Sequence, residues 1–179
     1  KTSGLTVSHT PTLTDINTVG PGTAPVAVTI APGSAATDLD AFTLQTSAGT
    51  DTVQGVTVTL APAGAARAIK EIQITSDDGA TIYGKLVDPL STATAFEIPL
   101  TTYISATTTE VPYKIKILPQ VHASMPAPPG AAFAVQGNVT RLASLYTKVY
   151  NDTPDATVTI DNGSPADPAW GTLANGDGQ

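Results

Sequence analysis

The stretch Pro112–Thr140, PYKIKILPQVHASMPAPPGAAFAVQGNVT, decides the fold. It opens with Tyr113, Ile115 and Ile117 at every second position, which puts three apolar side chains on one face of an extended segment. Lys114 and Lys116 fall on the other face. Prolines then interrupt the ladder, because a proline ring fixes φ and carries no N–H to donate. Alternation resumes at Phe133, Val135 and Val139. Two strands parted by a proline-rich segment describe a chain that leaves one sheet and enters another. His122 and Met125 fall inside that crossing, and they read as a loop histidine capping backbone carbonyls and an apolar plug beneath it.

The same period runs outward in both directions. Val26, Val28 and Ile30 alternate, as do Phe42 and Leu44, and then Val56, Val58 and Leu60. The Ala-rich PAGAARA predicts a short helical turn, and IKEIQITS (69–76) a strand. DDGA follows, a turn in which Gly79 supplies the positive φ. TAFEIPL and YISAT read as one or two strands, SLYTKVY as a strand or irregular edge, and ATVTID (156–161) as the closing strand. About nine short strands at this spacing predict an all-β, two-sheet sandwich over residues 26–165. Residues 1–25 read as an extended arm or donor strand, or as an edge strand followed by a linker, and 166–179 as a tail or linker.

Composition narrows the function classes. Charged residues are 13% of the chain and the formal net charge is -7, with the eight basic residues scattered. That excludes the clustered Lys/Arg face a nucleic-acid binder needs. Thr fills 30 positions and Cys none. Thr, Val and Ile suit a pleated sheet, while the lack of Cys removes disulfides, thiol nucleophiles and Cys-ligated metals. No apolar run of membrane-spanning length occurs. The first residue is Lys rather than Met, which predicts a processed N-terminus. The composition points to an exported, extracellular or cell-surface protein.

Three segments resemble a known family: TDLDAFTLQTSAGTDTVQGVTVTL (37–60), YKIKILPQVHASMPAPPG (113–130) and ATVTIDNGSP (156–165). They are similar to an Ig-like repeat module of large bacterial extracellular proteins, often found beside fibronectin type III domains. The resemblance implies an Ig-like sandwich and a surface location, and it carries no catalytic residues. The tail ADPAWGTLANGDGQ is similar to the lead-in of a fibronectin type III domain.

Candidate chemistry is sparse. His9 and His122 are far apart and no nucleophile elbow is present. Glu71, Glu97 and Glu110 are scattered, with no aromatic platform for a sugar. Asp38 and Asp40 form a D-x-D and Asp161 closes the domain; these three are candidates for a calcium site between domains. The other reading of the same aspartates is turn capping. Asn138, Asn151 and Asn162 stand in N-x-[ST] sequons as glycosylation candidates. Leu5, Val7 and Leu13 in the arm, with Trp170 and Leu173 in the tail, are candidate subunit contacts. The expectation is a non-enzymatic structural subunit needing no cofactor, joined to copies of itself head to tail by strand donation. The alternatives are an adhesin or carbohydrate-binding module, meeting cell-surface or matrix components, and a secreted hydrolase.

Overall fold

The computed structural model describes residues 14–126 and 131–163. Eleven strands form among them: β1 (Ile16–Pro21), β2 (Val28–Ile30), β3 (Thr37–Thr46), β4 (Asp51–Ala61), β5 (Ile69–Ser76), β6 (Ile82–Val87), β7 (Ala95–Ala106), β8 (Val111–Pro119), β9 (Ala132–Ala143), β10 (Thr147–Tyr150) and β11 (Val158–Asp161). Two 3-10 turns, Ala65–Ala68 and His122–Ser124, complete the described elements. The all-β class expected from the alternating pattern is therefore the class observed. The Ala-rich segment makes its predicted short turn, entered through Gly64 at φ 86°.

Hydrogen bonding runs through all the strands in the order β10-β1-β3-β8-β5-β6-β7-β4-β9-β11-β2, so they make one curled sheet. The pairs are antiparallel except at the two ends, where β10 lies parallel to β1 and β2 parallel to β11. β3 and β9 are each third from an end, yet they touch. The sheet thus folds over on itself and encloses its apolar face. β6 and β7 are joined by one pair, Gly84 with Leu100. A Cβ on Gly84 would stand 2.5 Å from the Pro99 carbonyl oxygen, so this junction depends on the missing side chain.

The core is what the period-2 pattern predicts for the central strands. Phe42, Leu44, Val56, Val58, Ile72, Ile74, Ile98, Ile115 and Ile117 are all 0% exposed. Each such side chain contributes roughly 1.5–3 kcal/mol through burial. Tyr113 stacks on Phe42 at 5.6 Å between ring centroids, and Tyr83 meets it edge-on at 5.7 Å. Burial first, and Tyr83 second, push the Tyr113 hydroxyl up to about 12. These tyrosines do gather, which the sequence reading did not foresee, but they gather inside the protein.

The proline-rich stretch, expected to pass between two sheets, links two non-adjacent strands of the one sheet. β8 lies between β3 and β5 in one half of the sheet, and β9 lies between β4 and β11 in the other. Met125 packs against the core as a partly buried residue. His122 sits in the 3-10 turn, where its carbonyl accepts the Met125 N–H at 3.2 Å.

Two expectations about segments need correcting. Ile16–Pro21 follows the strand reading of residues 1–25 rather than the arm reading, but not at an edge: it lies between β10 and β3, with Val19 fully buried. Asn17 hid this, because a polar residue holds an inward position there and breaks the apolar alternation. The Val26–Ile30 alternation does not face the core either. Val26 is 82% exposed, and β2 is a three-residue edge strand with only Ile30 packed inward.

Candidate functional site

The D-x-D pair meets a β-bulge. Thr37 and Asp38 stand opposite Ile117 and Lys116, but Asp40 stands opposite Ile115, so Leu39 is the extra residue. One inserted residue reverses the inside-outside phase of everything after it. Asp38 therefore faces outward with the lysines, its oxygens 3.1 Å from Lys114 Nζ and 3.2 Å from Lys116 Nζ. Asp40 turns inward and is 0% exposed. Asp161 serves elsewhere: its Oδ1 accepts the Gly163 N–H at 2.9 Å in the turn after β11. The three aspartates proposed for calcium thus have three different environments, and no cluster suited to a metal ion occurs among the described residues.

What Asp40 meets instead is Asp152 and Asp155, on the segment between β10 and β11. The backbone knits them together. Asp155 Oδ2 accepts the Ala41 N–H at 2.9 Å, Asp40 Oδ1 accepts the Asp155 N–H at 3.3 Å, and Asp152 Oδ2 accepts the Val139 N–H at 3.3 Å. Each carboxyl group so commits one oxygen to an amide. Of the other oxygens, Asp40 Oδ2 and Asp152 Oδ1 are buried without a hydrogen-bond partner, and the Thr153 amide also acts on the Asp152 carboxyl. The two side chains are hydrogen-bonding neighbours of each other. Burial first, then the charges of Asp152 and Asp155, push Asp40 up to about 8. Burial also raises Asp152 to about 6, with the Val139 amide pulling the other way.

The sequence reading found Asp40 and missed its partners. Asp152 and Asp155 flank Thr153-Pro154, which reads as an ordinary turn, and Asp155 is 115 positions from Asp40. No local pattern links groups so far apart.

The sheet ends form a second feature. Among the described residues, β10 and β2 each have a neighbour on one side only. Val28 directs its N–H to the Thr157 carbonyl at 3.3 Å, so alternation turns the Thr29 N–H away from β11. Thr147 and Asn151 donate to Asp15 and Val19, which likewise turns the Lys148 N–H outward from β10. Apolar side chains crowd both edges: Leu145 is 85% exposed beside β10, and Val26 82% beside β2. The candidate contacts Leu5, Val7, Leu13, Trp170 and Leu173 lie outside the described residues.

The sequons differ in access. Asn151 is exposed after β10. Asn138 is half-buried and its Nδ2 donates to the Asp152 carbonyl at 3.3 Å. Asn162 is 1% exposed, so its side chain is closed to a glycosylating enzyme in the folded chain. A cleft of about 380 Å³ lies between the Pro62–Arg67 turn and the start of β9, and Arg67 is the one titratable residue among those lining it. Among the described residues no helix is long and apolar enough to cross a membrane.

No protein-family model and no curated protein matches the chain. Among solved structures it is similar to a type I cohesin–dockerin complex from Clostridium thermocellum, at 9% identity and a TM-score of 0.31, over 87% of this chain and 99% of that one. It is also similar to the E. coli chaperone DraB, at 10% identity and a TM-score of 0.24, over 82% of this chain and 55% of that one.

Proposed function

We propose that this chain is a non-enzymatic structural subunit of an extracellular surface assembly, an Ig-like building block joined head to tail through its sheet edges. The observation that carries this reading is the pair of edges left open among the described residues, β10 and β2, which are different strands at opposite ends of one sheet. An edge presents unpaired N–H and C=O groups, and a strand from a neighbour can pair with them. Contacts between two different surfaces propagate, and they give open filaments when the rotation does not close. In this reading the donor is the segment carrying Leu5, Val7 and Leu13. It precedes β1, next to the β10 edge, so the edge that it meets head to tail in the next copy is β2. The Thr-rich composition with few lysines supports the extracellular placement, and the lack of Cys does not oppose it, because a core of this size needs no disulfide.

Two variants test it, read by electron microscopy and by light scattering on size-exclusion eluates. Removing residues 1–13 leaves β1 whole and is expected to give monomers. Thr29→Pro deletes an outward N–H of β2 without touching its pairing to β11, a position where an edge tolerates proline. It is expected to block assembly while circular dichroism stays that of the parent. Filaments of unchanged length from both variants would rule out donation onto β2.

A further inference from the structure

We propose that Asp40 and Asp152 share one proton between Asp40 Oδ2 and Asp152 Oδ1, and that this carboxyl–carboxylate bond is a pH-sensitive clasp holding the segment before β11 to β3. The observation behind this is a pair of neighbouring carboxyl groups, each with one buried oxygen left unpartnered. The Thr153 amide also acts on the Asp152 carboxyl. The companion oxygens are already engaged by the Asp155 and Val139 amides, so neither carboxyl group is free to rotate toward another partner without giving up that bond. Asp40 is 0% and Asp152 6% exposed, so water does not supply the missing donor cheaply.

Among the described residues no positive side chain is paired with either carboxyl group. The charges acting on Asp40 are Asp152 and Asp155, both negative. On β8 the nearest lysines, Lys114 and Lys116, face the opposite side of the sheet and are held by Asp38. The residues of β9 that meet the site, Asn138 and Val139, are uncharged. Two buried carboxylates side by side cannot both stay ionised at low cost, and sharing a proton removes one charge and fills both orphaned acceptors. A metal ion is the other way to balance such a cluster, but the described residues hold no group of acidic or imidazole ligands arranged for one.

The clasp has a structural consequence. It ties residues 152–155 to β3 and β9, directly ahead of β11, and β11 is what β2 pairs with. Loss of the proton places two like charges across that seam and loosens the support of one open edge.

The sign follows from linkage. The folded chain keeps a proton at Asp40 and Asp152 over a range where the unfolded chain, with ordinary aspartates near 3.8, has lost both. Stability therefore falls as pH rises from about 4 to about 8 and levels off above that range.

The test is thermal melting of the full chain at pH 5, 7 and 9, for the parent, Asp40→Asn, Asp152→Asn and the surface control Glu110→Gln. Calcium and chelator arms are run at pH 8. An asparagine carries its own N–H donor, so it imitates the shared proton at every pH. The parent is expected to melt several degrees lower at pH 9 than at pH 5. Asp40→Asn should flatten that slope and melt above the parent at pH 9, Asp152→Asn should flatten it too, and Glu110→Gln should retain the parental slope. The proposal is overturned if Asp40→Asn lowers the melting point equally at all three pH values, which marks a merely structural carboxylate. It is also overturned if calcium raises the parental melting point at pH 8 and Asp40→Asn abolishes that rise, which marks a cation site.

Discussion

Single atoms decide two of the main features. Leu39 is one residue too many for the β3–β8 ladder, and that one residue sends Asp38 to the lysines and Asp40 to the interior. D-x-D in a regular strand would put both aspartates on one face. A bulge leaves no compositional mark here, so the separation was not readable. Gly84 is the second case. With a Cβ only 2.5 Å from the Pro99 oxygen and 2.9 Å from Leu100 Cδ2, any side chain must push β6 from β7. Gly84→Ala is expected to cost about 1–3 kcal/mol, the range for overpacking a tight contact. The check is urea unfolding: a lower midpoint with an unchanged slope. An unchanged midpoint would mean the junction is looser than its contacts indicate.

At the level of elements, the central strands were legible and the edges were not. β5 matches its predicted span, 69–76, and the Asp-Asp-Gly turn after it has Gly79 at φ 72°. β3, β4, β8 and β9 carry the apolar alternation that announced them, because both their neighbours bury one face. β1, β2 and β10 bury little or hide polar residues, so their patterns are faint. β1 is held partly by a buried polar latch: Asp51 on β4 accepts the Asn17 Nδ2 at 2.9 Å and the Leu145 N–H at 3.2 Å. This one carboxylate, 1% exposed, ties β1, β4 and the approach to β10. Asp51→Ala strands two donors and is expected to cost about 2–4 kcal/mol, at the usual penalty for unsatisfied buried groups. Hydrogen exchange should show the loss concentrated in β1 and β10; protection lost evenly over the sheet would point to a general defect instead.

At the scale of the whole molecule, one sheet enclosing one core predicts one transition. Core residues from β3, β4, β5, β7, β8 and β9 pack in a single cluster. Thermal unfolding is expected to be a single cooperative event, and reductant should leave it unmoved because the chain has no Cys. Two resolved transitions in calorimetry would divide the molecule at the narrow β6–β7 junction. The amino-acid sequence alone determined the all-β class and the central strands. Those properties are local, since alternation, turn residues and composition act within a few positions. Only the tertiary structure decided that the strands join into one curled sheet, that Ile16–Pro21 belongs to it, and that Asp40 faces Asp152 rather than Asp38. Each of these turns on register and on contacts between distant residues, where a one-residue shift reverses every side chain and leaves the sequence pattern unchanged.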